Sequence, residues 1–133
     1  MDIDGHCHCG NISFKGNIDS TGLTICHCAD CQSLSGSPFR ASIPIEASKF
    51  SLHGVPKLYV KVAESGAKRV QAFCEHCGSP IYSSALENPQ TYSLRLGLVT
   101  QRASLTPRQQ IWKSSALPWI DHLSAIAAAA KEE

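Results

Sequence analysis

Seven cysteines in a chain of 133 residues fall into three tight clusters, and no other feature constrains the fold as much. The first is Cys7-His8-Cys9, the second Cys26-His27-Cys28-Ala29-Asp30-Cys31, and the third Cys74-Glu75-His76-Cys77-Gly78. In the third, two residues between thiols let both sulfurs face one ion, and Gly78 accepts the positive φ that such a turn needs. A knuckle of this kind supplies two ligands, whereas a structural zinc takes four. Either of the other clusters offers candidates for the missing pair, and counting favours the first. Cys7 and Cys9 with Cys74 and Cys77 make a closed set that staples the first strand to a distant hairpin. Cys26, Cys28 and Cys31 then remain as a set of three with one position open, the pattern of a catalytic zinc. Seven divides into four and three with no stray thiol.

Other uses of these cysteines are weighed against this one. The N-terminus, Met1-Asp2-Ile3-Asp4-Gly5-His6, is acidic and lacks an apolar stretch, so no secretory signal is expected and the reducing cytoplasm is the expected compartment. Disulfides are rare there, and clustered cysteines point to metal or catalysis. A thioredoxin-like pair opens a helix in a βαβ unit, and no such unit is read here. A histidine such as His27 or His76 closing the second site would make both metals structural, although histidines often stand near zinc without ligating it. His53 and His122 read as ordinary surface or core histidines.

The spacing of apolar residues predicts one mainly β domain. Short strands are expected at His6–His8, Ile12–Phe14, Leu23–Ile25, Phe39–Pro44 and Phe50–Leu52. Further strands are expected over Leu58–Val62, Arg69–Phe73, Pro80–Ser83 and Tyr92–Leu98, with Ser65-Gly66 as a hairpin turn. One or two helical turns are expected over Ala29–Ser35. Trp119–Lys131 carries Ile120, Leu123 and Ile126 at helical spacing and predicts a C-terminal helix docked through that stripe. The domain is expected over 1–119, with 120–133 as a helical tail.

Composition limits the partners. A net charge of +1 with dispersed basic residues argues against nucleic acid, and no window approaches the length of a membrane span. The chain carries neither a glycine-rich dinucleotide fingerprint nor a Walker loop. Arg40 and Lys113 are the candidate cations beside the open site, and Trp112 is a candidate wall of its pocket.

Four stretches together carry a family resemblance: Gly5–Phe14, Cys26–Cys31 followed by Gly36-Ser37-Pro38-Phe39, Phe73–Pro80, and Ile111–Trp119. The chain resembles the glutathione-dependent formaldehyde-activating enzyme family, which includes the centromere protein V-like domains. The resemblance implies a β-tent, layered antiparallel sheets held by zinc, to which the residue spacing adds the short C-terminal helix. It implies that Cys7, Cys9, Cys74 and Cys77 hold a structural zinc and that Cys26, Cys28 and Cys31 hold a catalytic one, two zincs per chain. The implied activity is that of a carbon–sulfur lyase on a small thiol adduct, resembling S-(hydroxymethyl)glutathione synthase, with a glutathione-like thiol as partner. The competing expectations are a zinc-stapled binding module with both metals structural and, less compatible with the near-neutral charge, a nucleic-acid-binding zinc domain.

Overall fold

A computed structural model describes residues 1–63 and 65–132. The chain runs through β1 (Asp2–His6), β2 (Ser13–Asn17), β3 (Thr24–Cys26), α1 (Ala29–Ser35), β4 (Arg40–Glu46), β5 (Phe50–His53) and β6 (Lys57–Val62). It continues through β7 (Lys68–Phe73), β8 (Pro80–Ala85), β9 (Thr91–Arg95) and β10 (Gln109–Ile111), with five short 3-10 turns between and after these elements. Mainly β architecture is therefore as expected.

Two sheets form. The smaller has the order β1-β2-β5, and the larger the order β10-β3-β4-β9-β8-β7-β6. Every pairing is antiparallel except β10 on β3, which is parallel and places Ile111 opposite Cys26. Alternation places one set of side chains between the sheets. On β4, Ile43 and Ile45 are buried while Pro44 and Glu46 face water. Pro44 is tolerated because β3 pairs only as far as Ser42, so its missing N–H leaves no ladder bond unmade. Ile3 and Phe14 from the small sheet meet Ile43, Ile45, Ile81 and Leu94 from the large one in a single core. Phe50, Tyr82 and Tyr92 continue that core, with Tyr82 and Tyr92 edge to face at 4.6 Å between ring centroids.

The small sheet also touches the segment that follows β9 through backbone. Gly5 bridges to Val99, and the Thr100 amide donates to the Asp4 carbonyl at 2.9 Å. The approach depends on the absence of a side chain at Gly5: a Cβ there would lie 2.1 Å from the Leu98 carbonyl oxygen and 2.4 Å from the Phe14 ring.

Several boundaries differ from the sequence reading. The first strand ends at His6, and Cys7–Gly10 is a turn, because the Gly10 amide bonds back to the Cys7 carbonyl. The expected strand over Tyr92–Leu98 ends at Arg95 and tightens into a 3-10 turn over Leu96–Leu98. A short C-terminal helix is present, but it is a 3-10 stretch over Ile120–Ala125, broken at His122 (φ −123°). It does not dock through the expected stripe: Leu123 and Ile126 are more than half exposed. An alanine-rich segment of this length, with no apolar face opposite it, lacks the packing that sustains an α-helix. Glu133, the last residue of the expected tail, lies outside the described residues. No helix among the described residues is long and apolar enough to cross a membrane.

Replacing Gly5 by Ala should destabilise the protein by about 1–3 kcal/mol in a urea melt, since the clash is with backbone that cannot move aside. Gly97→Ala, which meets nothing within 4 Å, should stay within about 0.5 kcal/mol and serves as the control.

Candidate metal centres

The first cysteine set is built from two distant parts of the chain. Cys7 and Cys9 sit in the turn between β1 and β2, and Cys74 and Cys77 in the turn between β7 and β8. A register shift in the ladder at Ala72/Phe73 precedes the second turn. There the Gly78 amide donates to the Cys74 carbonyl at 2.8 Å, with Gly78 at φ 78° as the knuckle requires. The four Sγ atoms lie within 4.8 Å of one another. Cys7 to Cys9 is 3.6 Å and Cys9 to Cys74 is 3.7 Å. Tetrahedral zinc with Zn–S bonds of about 2.3 Å requires S···S separations of about 3.8 Å, so these sulfurs already stand at ligand spacing. A disulfide would require about 2 Å, and all seven cysteines are free.

The second set is built locally. Cys26 ends β3, Cys28 is the N-cap of α1, and Cys31 lies in its first turn. Cys28 has extended backbone (φ −62°, ψ 156°), and its Sγ accepts the Cys31 amide at 3.3 Å. An extended Cys-x-Cys thus enters a helix whose first turn carries the third thiol back to the other two. All three sulfurs lie within 4.8 Å of one another. Neither His27 nor His76 joins a set among the described residues. His76 is exposed, whereas His27 is fully buried with Nε2 2.7 Å from Gln110 Oε1.

Ionisation is divided within each set. The Ser79 hydroxyl and amide hold Cys77 down to about 5. The Asn11 amide favours the Cys9 thiolate, yet lost hydration and its three neighbouring thiols push Cys9 up to about 12. In the second set burial, with Cys26 and Cys28 beside it, pushes Cys31 up to about 12. Burial also opposes ionisation of Cys28, but hydrogen bonds from the Cys31 amide and thiol, the Cys26 thiol and the Asp30 amide together outweigh it and hold that thiol below its ordinary value. Clustered thiols cannot all ionise against one another, and a dication removes the conflict. Donor type, spacing and charge in both sets therefore fit zinc.

The surroundings of the two sets differ. Cys7 and Cys74 are buried to 0 % and 1 % exposure in the core. Cys26 and Cys31 instead line a cleft of about 480 Å³ together with Arg40, Ser42, Arg108 and Ile111. Of the cations expected beside this site, Arg40 lines the cleft. Lys113 does not, and pairs with Asp121 at 2.7 Å. Lys61 is drawn toward α1 by an ion pair with Asp30. Trp112 is mostly exposed, with an unusual positive φ of 55°, and Ile111 rather than Trp112 walls the cleft.

Arg95 and Gln71 escaped the sequence reading. Arg95 is buried at the end of β9 and donates to Ser42 Oγ at 2.7 Å, to the Ser93 carbonyl at 3.1 Å and to Gln71 Oε1 at 3.0 Å. Arg40 donates to the same Gln71 oxygen at 3.1 Å. Strands β4, β7 and β9 must come together before these groups meet, so no local signal marks them.

The family model described as glutathione-dependent formaldehyde-activating enzyme matches residues 2–115 of this chain. No curated protein matches it. Among solved structures, a crystal structure of a Rhodobacter sphaeroides protein, a structural-genomics target, aligns with a TM-score of 0.59 at 17 % identity. That alignment covers 80 % of this chain and 98 % of the other, and at this identity it speaks for the fold alone.

Gln71→Leu should cost about 1–3 kcal/mol in a denaturant melt, because it leaves buried Arg95 without one of its acceptors.

Proposed function

The chain belongs to the glutathione-dependent formaldehyde-activating enzyme family, and from that premise we propose that it is a zinc-dependent carbon–sulfur lyase acting on a small thiol adduct of the S-(hydroxymethyl)glutathione kind. The observation that carries the reading is the contrast between its two cysteine sets: four thiols gathered at the junction of two distant turns, with Cys7 and Cys74 in the core, against three thiols from one short stretch, of which Cys26 and Cys31 line a cleft. We assign Cys7, Cys9, Cys74 and Cys77 to a structural zinc and Cys26, Cys28 and Cys31 to a catalytic one, two zincs per chain. Residues 1–119 form the zinc domain and 120–133 its tail. Free thiols at all seven positions suit a reducing compartment, and we place the protein in the cytoplasm.

In the condensing direction a thiol sulfur adds to the aldehyde carbon, the carbonyl π bond opens, and the thiol proton ends on the new hydroxyl. No electron is gained or lost, so no redox partner is needed. Zinc held by Cys26, Cys28 and Cys31 would supply ionisation of the incoming thiol and polarisation of the carbonyl oxygen. The chain's own residues do the rest. The first turn of α1 fixes Cys28 and Cys31, and pairing with β4 and β10 fixes Cys26. Arg40 on the cleft wall offsets the negative charge that three thiolates bring to the site.

Metal analysis with thermal melts of two variants tests the assignment. Cys28→Ser should hold about one zinc instead of two and stay folded, since serine is itself a good N-cap for α1. It should also lose acceleration of formaldehyde condensation with glutathione. Cys77→Ser should unfold, because a structural zinc contributes folding free energy. Equal collapse of both variants would contradict the two roles, and a Cys28→Ser protein that keeps both zincs would favour a binding module with two structural metals.

A further inference from the structure

Arg95 is a buried cation, 7 % exposed, and its partners are neutral: a hydroxyl, a carbonyl and a carboxamide. The ion pairs among the described residues are Lys49 with Glu46, Lys61 with Asp30 and Lys113 with Asp121, so neither Arg95 nor Arg40 is in one. Yet the two guanidiniums converge on one acceptor, Gln71 Oε1, at 3.0 and 3.1 Å. Burying a charge without a counter-charge is costly, and setting a second like charge beside it adds to the cost. The cost shows in Arg95, whose ordinary value near 12.5 falls to about 9, first through burial and then through Arg40. Such an arrangement calls for negative charge nearby.

The three-cysteine set supplies only part of it. With zinc bound, three thiolates leave a formal charge of about −1, against about +2 from the two guanidiniums. One positive charge remains over. Arg40 faces the same cleft as Cys26 and Cys31, and its hydrogen bond to Gln71 engages one of five N–H groups. The other donors suit the planar, two-oxygen geometry of a carboxylate. Of the remaining charges lining the cleft, Asp19 is engaged by the Thr21 hydroxyl and amide, and Arg108 is exposed.

Resting on the thiol-handling reading above, we propose that Arg40, braced through Gln71 by the buried Arg95, anchors a carboxylate of the ligand, so that the cleft selects small thiols that carry a carboxylate. Arg40 is the contacting residue. Arg95 is a positioning residue: it fixes Gln71 and Ser42 and raises the positive potential behind Arg40.

Calorimetric binding to the zinc-loaded protein tests this with three probes: glutathione, its diethyl ester, and S-methylglutathione, which keeps the carboxylates but has no free thiol. Glutathione should bind at least about tenfold more tightly than the diester, as charge-assisted pairing predicts. Arg40→Gln should erase most of that ratio, and Arg95→Lys should reduce it. Loss of fold alone would weaken both probes together rather than change their ratio, and the wild-type comparison needs no variant. Equal affinity for glutathione and the diester would overturn the carboxylate anchor and leave the thiol reading standing. S-methylglutathione binding as tightly as glutathione, with the same Arg40 dependence, would leave the anchor standing and overturn the thiol reading. No binding of any probe would overturn both.

Discussion

The meeting of two turns, Cys7–Cys9 from one end of the chain and Cys74–Cys77 from the middle, is the constraint on which the rest of the structure depends. Cys9 and Cys74 are 65 residues apart in sequence and 3.7 Å apart at their sulfurs. That contact ties the three-stranded sheet to the β7–β8 hairpin of the seven-stranded one. Shared apolar burial, the narrow backbone approach at Gly5 and the His8 amide donating to Ser79 Oγ tie the two further. A domain of this size buries a limited core, and the metal cross-link we propose at this junction would offset that limit. Four thiols at ligand spacing, two of them within the core, make sense only if a cation shares the site, because their mutual repulsion otherwise forbids full ionisation.

The second cysteine set is held quite differently. Its three thiols come from one short stretch, a strand end and the first turn of α1, so its geometry is set by local backbone rather than by joining distant parts. The surrounding sheet contributes position and charge. β4 brings Arg40 and Ser42, β9 brings Arg95, β7 brings Gln71, and parallel β10 closes the cleft with Ile111. A locally built site facing a cleft can be altered without unlocking the fold. The junction site instead joins two turns far apart in sequence. That asymmetry is the physical basis for assigning the two sets different roles within the family.

Much of this was legible in the sequence because the informative features are local. The Cys-x-x-Cys-Gly turn, the division of seven thiols into four and three, the helical turns over Ala29–Ser35 and most strands rest on spacing within a few residues. What escaped rests on contacts between distant residues. The parallel β10 has only three residues and no alternation to announce it. Arg95 reads as one more surface charge until β9 pairs with β4 and buries it. The stripe of Ile120, Leu123 and Ile126 has helical spacing, but spacing does not supply the facing surface that an α-helix needs, and the segment settles as a short 3-10 stretch.

The proposed roles require one zinc held by four sulfurs and a second held by three. X-ray absorption at the zinc edge, with metal content on the same sample, reads this without any substitution. Two zincs per chain are expected, with an average shell of about 3.5 sulfurs at about 2.3 Å and about half a lighter donor per metal, from four sulfurs at one centre and three at the other. Two zincs with four protein donors each, including nitrogen from histidine, would contradict the open site. A single all-sulfur zinc per chain would leave the junction intact and remove the catalytic centre.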